Sequence, residues 1–330
     1  RFYYISGQLS LFGRLLRHIY RRVWFQKRKE GLIHGFQQSF VPAGLYACFF
    51  ILYYRLPDNC KNPALFAGSI VFYGLGTWRN PLYLLLLAGS MAVNIKIGRQ
   101  IEKARMPKPG CRNGGKNSDR ACRRWLYRGL AWNFGLLFFF KYMGFVGESL
   151  NRLLPDGLAV WPELRPELPP GISFYTFQVV SYLADIYRGA GYDTGNGLQV
   201  GTYLCMFPQL IAGPIITYRE VEGALARRKH TLAQLDRGLR EFCIGLGMKV
   251  LLANRIGNLW REAGAIGYES LSMPLAWMGI AAFSFQLYFD FCGYSWMARG
   301  LGFMLGMEFP ENFNHPYMAL SMTDFWRRWH

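Results

Sequence analysis

Acidic residues, paired cysteines and the motifs of soluble enzymes are all scarce in this chain. Asp and Glu number 20 against 38 Lys and Arg, and charged residues together make up only 18% of the sequence. An ordinary soluble domain carries about 25%. No CxxC pair occurs among the seven cysteines (Cys48, Cys60, Cys111, Cys122, Cys205, Cys243, Cys292). That spacing argues against a structural zinc site, and the odd, scattered count argues against a disulfide framework. The cysteines are expected to be free, mostly buried thiols. Gly245-Leu-Gly247-Met-Lys249 lacks the spacing of a phosphate-binding loop. There is no GxSxG elbow, no HExxH and no paired metal-ligand cluster, so nucleotide-loop, serine-elbow and zinc-protease chemistry are not supported. No cleavable signal peptide is evident, because the first apolar run follows a long basic stretch.

What is present is apolar sequence cut by basic loops. The net charge is +18, with 52% hydrophobic and 17% aromatic residues. The basic clusters sit between apolar runs and carry no nucleic-acid-binding motif, so no nucleic-acid partner is expected. Excess Lys and Arg on cytoplasmic loops accounts for them more simply. Residues 1–35 are basic and aromatic and read as an interfacial or tail segment. Residues 36–330 read as one transmembrane domain.

A bilayer core takes about 20 apolar residues per helix. Spans are expected at 36–54, 82–98, 129–147, 171–187, 241–260 and 274–292, with shorter pieces at 64–78 and 296–307. With 64–78 counted as a crossing there are seven, and 198–218 and 296–307 are two partial elements. Residues 99–128, with ten basic residues against Glu102 and Asp119, read as a cytoplasmic loop, as does 219–240. The acidic, proline-rich 148–170 suits the outer face. If both basic segments are inside, 198–218 must enter and leave on one side. Its breaks at Pro208, Gly213 and Pro214 fit a re-entrant element. Gly302 and Gly306 form a GxxxG pair suited to close helix contact. The expected fold is therefore all-α, a polytopic transmembrane helical bundle with re-entrant elements. The chain begins at Arg1 and stops at His330 inside a motif, so both ends are expected to be truncations.

Ionisable groups in apolar tracts are costly and are functional candidates by default. Asp290 is the sharpest; the alternative is an ion pair with an Arg elsewhere in the bundle. Gln178, Gln209 and Gln286 suit interhelical hydrogen bonds or a polar site. Of five histidines, His18, His34 and His230 read as solvated and His315 as a loop residue. His330 closes Asp324-Phe325-Trp326-Arg327-Arg328-Trp329-His330, where an imidazole beside cations, aromatics and an acid suits either a general base or an interfacial anchor.

Four stretches, in order, carry a resemblance: Pro169-Pro170-Gly171 through Gln178 and on to Gly189; Phe207-Pro208-Gln209-Leu210-Ile211-Ala212-Gly213-Pro214-Ile215; Tyr288-Phe289-Asp290-Phe291-Cys292-Gly293-Tyr294 with Pro310-Glu311-Asn312-Phe313-Asn314; and Phe325 through His330. Together they resemble the membrane-bound O-acyltransferases, closest to the membrane-subunit branch of alginate O-acetylation. The resemblance covers about residues 36–330. It implies a multi-helix fold with a central tunnel in a bacterial inner membrane. It also implies no bound cofactor and no metal, with acetyl-CoA or another acyl thioester as donor on the cytoplasmic side. The acceptor hydroxyl is then on an exported polysaccharide, with a periplasmic or extracellular acetyltransferase as a further partner. His330 matches the first of two family histidines and is the expected catalytic residue. The second has no match, so the piece by itself is expected to be inactive. Gln209, Gly213, Pro214, Gln286, Asp290, Tyr294, Asn312, Asn314, Asp324, Arg327 and Arg328 are expected to bind substrate or line the tunnel. Cys292 and Trp296 depart from the Ser and Asp usual there. A transporter or flippase, or a scaffold that passes acyl groups to a periplasmic enzyme, are the rival readings.

Overall fold

A computed structural model describes residues 43–106, 114–153, 166–189, 196–210, 213–214, 216–228, 230–267 and 270–329. The basic segment 1–35 and His330 lie outside the described residues. The elements are α1 (Ala43–Arg55), α2 (Asp58–Gly76), α3 (Leu82–Arg105), α4 (Gly114–Leu153), α5 (Ile172–Arg188), α6 (Gly197–Cys205), α7 (Tyr218–Ala226), α8 (Leu232–Gly247), a π turn (Met248–Ala253), α9 (Asn254–Ile266), α10 (Met273–Met304), a 3-10 turn (Pro316–Met318) and α11 (Met322–Arg328). Among the described residues the only β feature is the bridge Phe313–Trp329. The all-α class is as expected.

Three of the described helices are long and apolar enough to cross a bilayer: Leu82–Arg105, Ser118–Leu153 and Met273–Met304. Three expectations change. Much of the basic stretch 99–128 is helical, because α3 continues through Arg105 and α4 begins at Gly114. Lys and Arg are good helix formers, so a helix can outrun its apolar core. The spans expected at 274–292 and 296–307 are one helix of 32 residues. Gly293 does not break it, because the glycine serves a close backbone contact described below. Two cysteines expected to be buried, Cys48 and Cys60, are exposed.

The chain divides into two compact units. One contains residues 62–211 and 217–222; the other contains 1–61, 212–216 and 223–330. In the first unit α3, α4 and α5 pack together. Asn94 and Asn133 are buried and exchange amide hydrogen bonds at 3.1 and 2.7 Å. Each amide also donates to its own helix, Asn94 to the Ser90 carbonyl and Asn133 to that of Gly129. Polar side chains bonded across helices in this way hold apolar helices in register. Helix α5 is bounded by left-handed glycines, Gly171 (φ 76°) and Gly189 (φ 88°). The Arg105 guanidinium closes its C-terminal end by donating to the carbonyls of Ile186 and Tyr187, groups that a helix end leaves unpaired.

In the second unit α8 and α10 lie against each other with almost nothing between them. A Cβ on Gly245 would stand 2.4 Å from the Gly293 carbonyl oxygen, and one on Gly238 2.6 Å from that of Gly300. The two glycines on each helix are seven residues apart, about two turns, so they share a face. The expected GxxxG pair is not this contact: Gly302 meets Phe309, and Gly306 lies past the helix end with φ 77°. At 2.4 Å any side chain forces the helices apart, and such overpacking costs about 1–3 kcal/mol. Gly245→Ala should therefore lower the thermal unfolding midpoint in detergent. Gly247→Ala, which has open space around its Cβ, should leave it unchanged or raise it.

Candidate functional site

In the first unit, the turn after α6 is buried throughout residues 201–210. Its shape is set by two glutamines. Gln178 on α5 and Gln209 in the turn both donate to the Tyr203 carbonyl, at 2.9 and 2.7 Å. That carbonyl belongs to the last turn of α6 and has no helical donor waiting for it. The Phe207 amide donates to Ser69 at 3.2 Å. Gln209 Oε1 is buried without a hydrogen-bond partner among the described residues. Gly213 and Pro214, which belong to the second unit, are also buried.

In the second unit, the helix that begins at Leu232 changes character at Met248–Ala253, where its hydrogen bonds widen into a π turn. Such turns are rare and recur at functional positions. Between the Gly245–Gly293 contact and the Ala263–Gly279 contact, the α8–α9 side spends eighteen residues and α10 fourteen. The wider π turn takes up part of that difference. It carries Lys249, whose ammonium meets the Asp290 carboxylate in the middle of α10. The Lys249 side chain is 13% exposed and that of Asp290 45%. The counter-ion of Asp290 is thus a lysine, not the arginine that the alternative reading named. Four residues before Asp290, Gln286 packs on Gly257 and keeps its Oε1 without a hydrogen-bond partner among the described residues.

Lower in the same pair of helices, Glu241 is buried and meets two cations. Arg237 donates to it at 3.1 Å, and Arg299 lies 3.3 Å away without the alignment of a hydrogen bond. Arg299 also donates to Glu311 at 2.9 Å, and Arg237 lies over the Phe303 ring at 4.2 Å.

The segment that leads to His330 is held by aromatics. Trp329 stacks on Phe325 at 5.6 Å and meets Phe313 edge-on at 5.2 Å and Tyr288 at 6.4 Å. The Tyr317 hydroxyl donates to the Ser284 carbonyl on α10 at 2.8 Å. The Asn314 amide donates to the Arg328 carbonyl at 3.0 Å. Asp324 accepts from Arg328 at 2.9 Å, and that guanidinium holds its carboxyl below the usual range. Arg327 and Asn314 are exposed, whereas Asn312 and Tyr294 are half-buried. Cys292 is buried and Trp296, one helical turn on, is half-buried. His315 is exposed in a left-handed turn (φ 46°). Among the described residues no group of three or more His, Cys, Asp or Glu is placed to hold a metal.

The second unit therefore gathers Gln286, Asp290, Asn312, Asp324 and Arg328 around α10, while Gln209 belongs to the first. Sequence reasoning missed Lys249. Its signal was the one that singled out Asp290, a charge inside an apolar tract. Removing one partner leaves a charge uncompensated, at about 1–3 kcal/mol, toward the low end where the group is half exposed. Lys249→Met should accordingly lower the unfolding midpoint more than the double variant Lys249→Met/Asp290→Leu does; a double loss equal to the sum of the losses in Lys249→Met and Asp290→Leu would mean that the two charges do not depend on each other.

Residues 193–330 match the model of the membrane-bound O-acyltransferase family. Over 283 residues the chain is 38% identical to a probable alginate O-acetylase, AlgI, of Pseudomonas aeruginosa, covering 86% of this chain and 51% of that protein. A peptidoglycan O-acetyltransferase of Helicobacter pylori is 33% identical, with 88% and 57% covered. A teichoic acid D-alanyltransferase of Bacillus subtilis is 30% identical over 56% of this chain and 50% of its own length. The chain spans about half the length of these curated relatives.

Proposed function

The chain belongs to the membrane-bound O-acyltransferase family, and on that footing we propose that it serves O-acetylation of an exported polysaccharide. In this reading it is a multi-pass protein of a bacterial inner membrane, with seven crossings and a re-entrant turn at 198–218. Residues 36–330 then form the transmembrane domain. The donor is acetyl-CoA or another acyl thioester, presented from the cytoplasmic side. The acceptor is a sugar hydroxyl outside, and a periplasmic acetyltransferase is a further partner.

The observation that carries this is the seat of Trp329. The backbone bridge to Phe313 and the stack of Phe325, Phe313 and Tyr288 fix the residue before His330 against α10. A catalytic group works only when its supporting shell holds it to a fraction of an ångström. His330 takes the proton of the acceptor hydroxyl, and the freed oxygen attacks the acyl carbonyl. A C–O bond forms, the C–S bond breaks, and the imidazolium returns its proton to the leaving thiolate. Asp290 with Lys249, and Gln286 beside them, supply a polar lining in an otherwise apolar helix. Gln209 shapes a buried turn of the first unit, Gly213 and Pro214 are buried in the second, and exposed Arg327 suits donor phosphates. Asn312, Asn314, Tyr294, Asp324 and Arg328 hold and flank the Trp329 seat. The relatives named above all bear acyl- or alanyl-transfer names, which favours transfer over transport.

The test is acetyl labelling of surface polysaccharide in cells expressing the full-length protein at matched membrane levels. General acid–base groups contribute about 10²–10⁴-fold, so His330→Ala should cut labelling at least a hundredfold. Undiminished labelling would remove His330 from the chemistry.

A further inference from the structure

The sequence marks His230 as a solvated residue of a basic loop, but the structure places it elsewhere. Its ring stands edge-on to Tyr53 at 5.6 Å and to Tyr54 at 5.5 Å, at the end of α1. Its Nε2 is buried and has no hydrogen-bond partner among the described residues. The surroundings are cationic. Arg228 donates to the Tyr53 hydroxyl, and Lys61 is only 8% exposed. All of these belong to one compact unit.

This is a costly arrangement without a ligand. An ammonium has three donors; that of Lys61 gives one to Asp58 at 2.6 Å, and the Asp58 side chain is 82% exposed. Burial and the two cations, Lys61 and Arg228, push the imidazole down to about 4, against a smaller opposing pull from Asp58. His230 is therefore neutral at pH 7, so the cluster offers donors without adding a third charge. The two tyrosine hydroxyls are already committed, Tyr53 to the Leu305 carbonyl and Tyr54 to that of Met304. Both close the C-terminal end of α10. The aromatic neighbours are thus fixed by the helix end, while the buried imidazole nitrogen and spare donors of the buried ammonium are left for something else. Two cations, a neutral imidazole and aromatic walls are the chemistry that holds a phosphate oxyanion.

We infer that Lys61, Arg228 and His230 form a phosphate-binding site, separate from the His330 segment and independent of the acyl-transfer reading. The oxyanion sits against His230 Nε2, with Lys61 and Arg228 on either side. Among the described residues, the charged and titratable groups that face it are Asp58, Lys61, Arg228, His230 and the hydroxyls of Tyr53 and Tyr54. A bound phosphate favours the imidazolium, so binding takes up a proton and tightens as the pH falls from 7 towards 5. Two sources carry this chemistry, an anionic lipid headgroup and the phosphates of a soluble nucleotide such as the adenosine bisphosphate part of coenzyme A.

The test uses the full chain in a neutral detergent. One arm measures binding of adenosine 3′,5′-bisphosphate at pH 5.5 and 7.5; the other measures phosphatidylglycerol retained on the protein by native mass spectrometry. The variants are Lys61→Gln and His230→Gln, neither of which touches the Arg228–Tyr53 bond, with Arg228→Lys as a charge-keeping control. Each lost charge-assisted bond is worth about tenfold in affinity. One probe should bind the wild type, tighter at the lower pH, about tenfold weaker in Lys61→Gln, with the pH dependence gone in His230→Gln. Nucleotide binding identifies a donor-type ligand, and lipid retention identifies a headgroup. If neither probe binds the wild type more tightly than monodisperse Lys61→Gln/His230→Gln, the site does not exist.

Discussion

The contact between the backbones of α8 and α10 sets what the second unit can do. Two glycines on each helix, Gly238 with Gly245 and Gly293 with Gly300, remove the side chains that would hold the axes apart. Apolar helices in lipid gain little from burying more apolar surface, so association rests on close packing and on polar bonds across the interface. Here the two occur along one seam. Glu241 and Arg299 meet near one glycine pair, and Lys249 and Asp290 meet beyond the other. Short charged contacts of this kind need the axes close, and the glycines supply that closeness.

The π turn belongs to the same argument. It interrupts a helix that would otherwise run regularly from Leu232 to Ile266, and it carries the lysine that reaches Asp290. A carboxylate in the middle of an apolar helix costs about 2.5–3.5 kcal/mol if left to the hydrocarbon. The lysine offsets that cost, and the half-exposed carboxylate keeps one side free for a polar neighbour. On the other face of α10, Tyr288 and Phe291 receive Phe313 and Trp329. One helix thus supports both a charged pair and the segment that precedes His330.

Much of this is legible in the sequence. Asp290 stands out because a charge in an apolar run has few structural excuses, and the breaks at Pro208 and Gly213 announce an irregular turn. What is hidden has physical reasons. Lys249 follows two glycines and looks like a failed phosphate loop. A π turn has no residue signature, since it arises from register against a partner. The glycine face is invisible to a search for GxxxG because its spacing is seven, two turns rather than one. His230 reads as solvated because its neighbours in sequence are basic, while the tyrosines that cover it lie on α1. Tertiary context decides each of these.

If the glycine seam exists to bring Lys249 onto Asp290, and the pair serves acyl transfer, then their charges should be exchangeable. Acetyl labelling of polysaccharide by the full-length charge-swapped variant Lys249→Asp/Asp290→Lys, compared with each single change at equal membrane levels, decides the matter. Recovery in the swap of activity that both singles lose is the expected result. Full activity in either single variant would contradict it, leaving the pair as a helix fastener with no part in the chemistry.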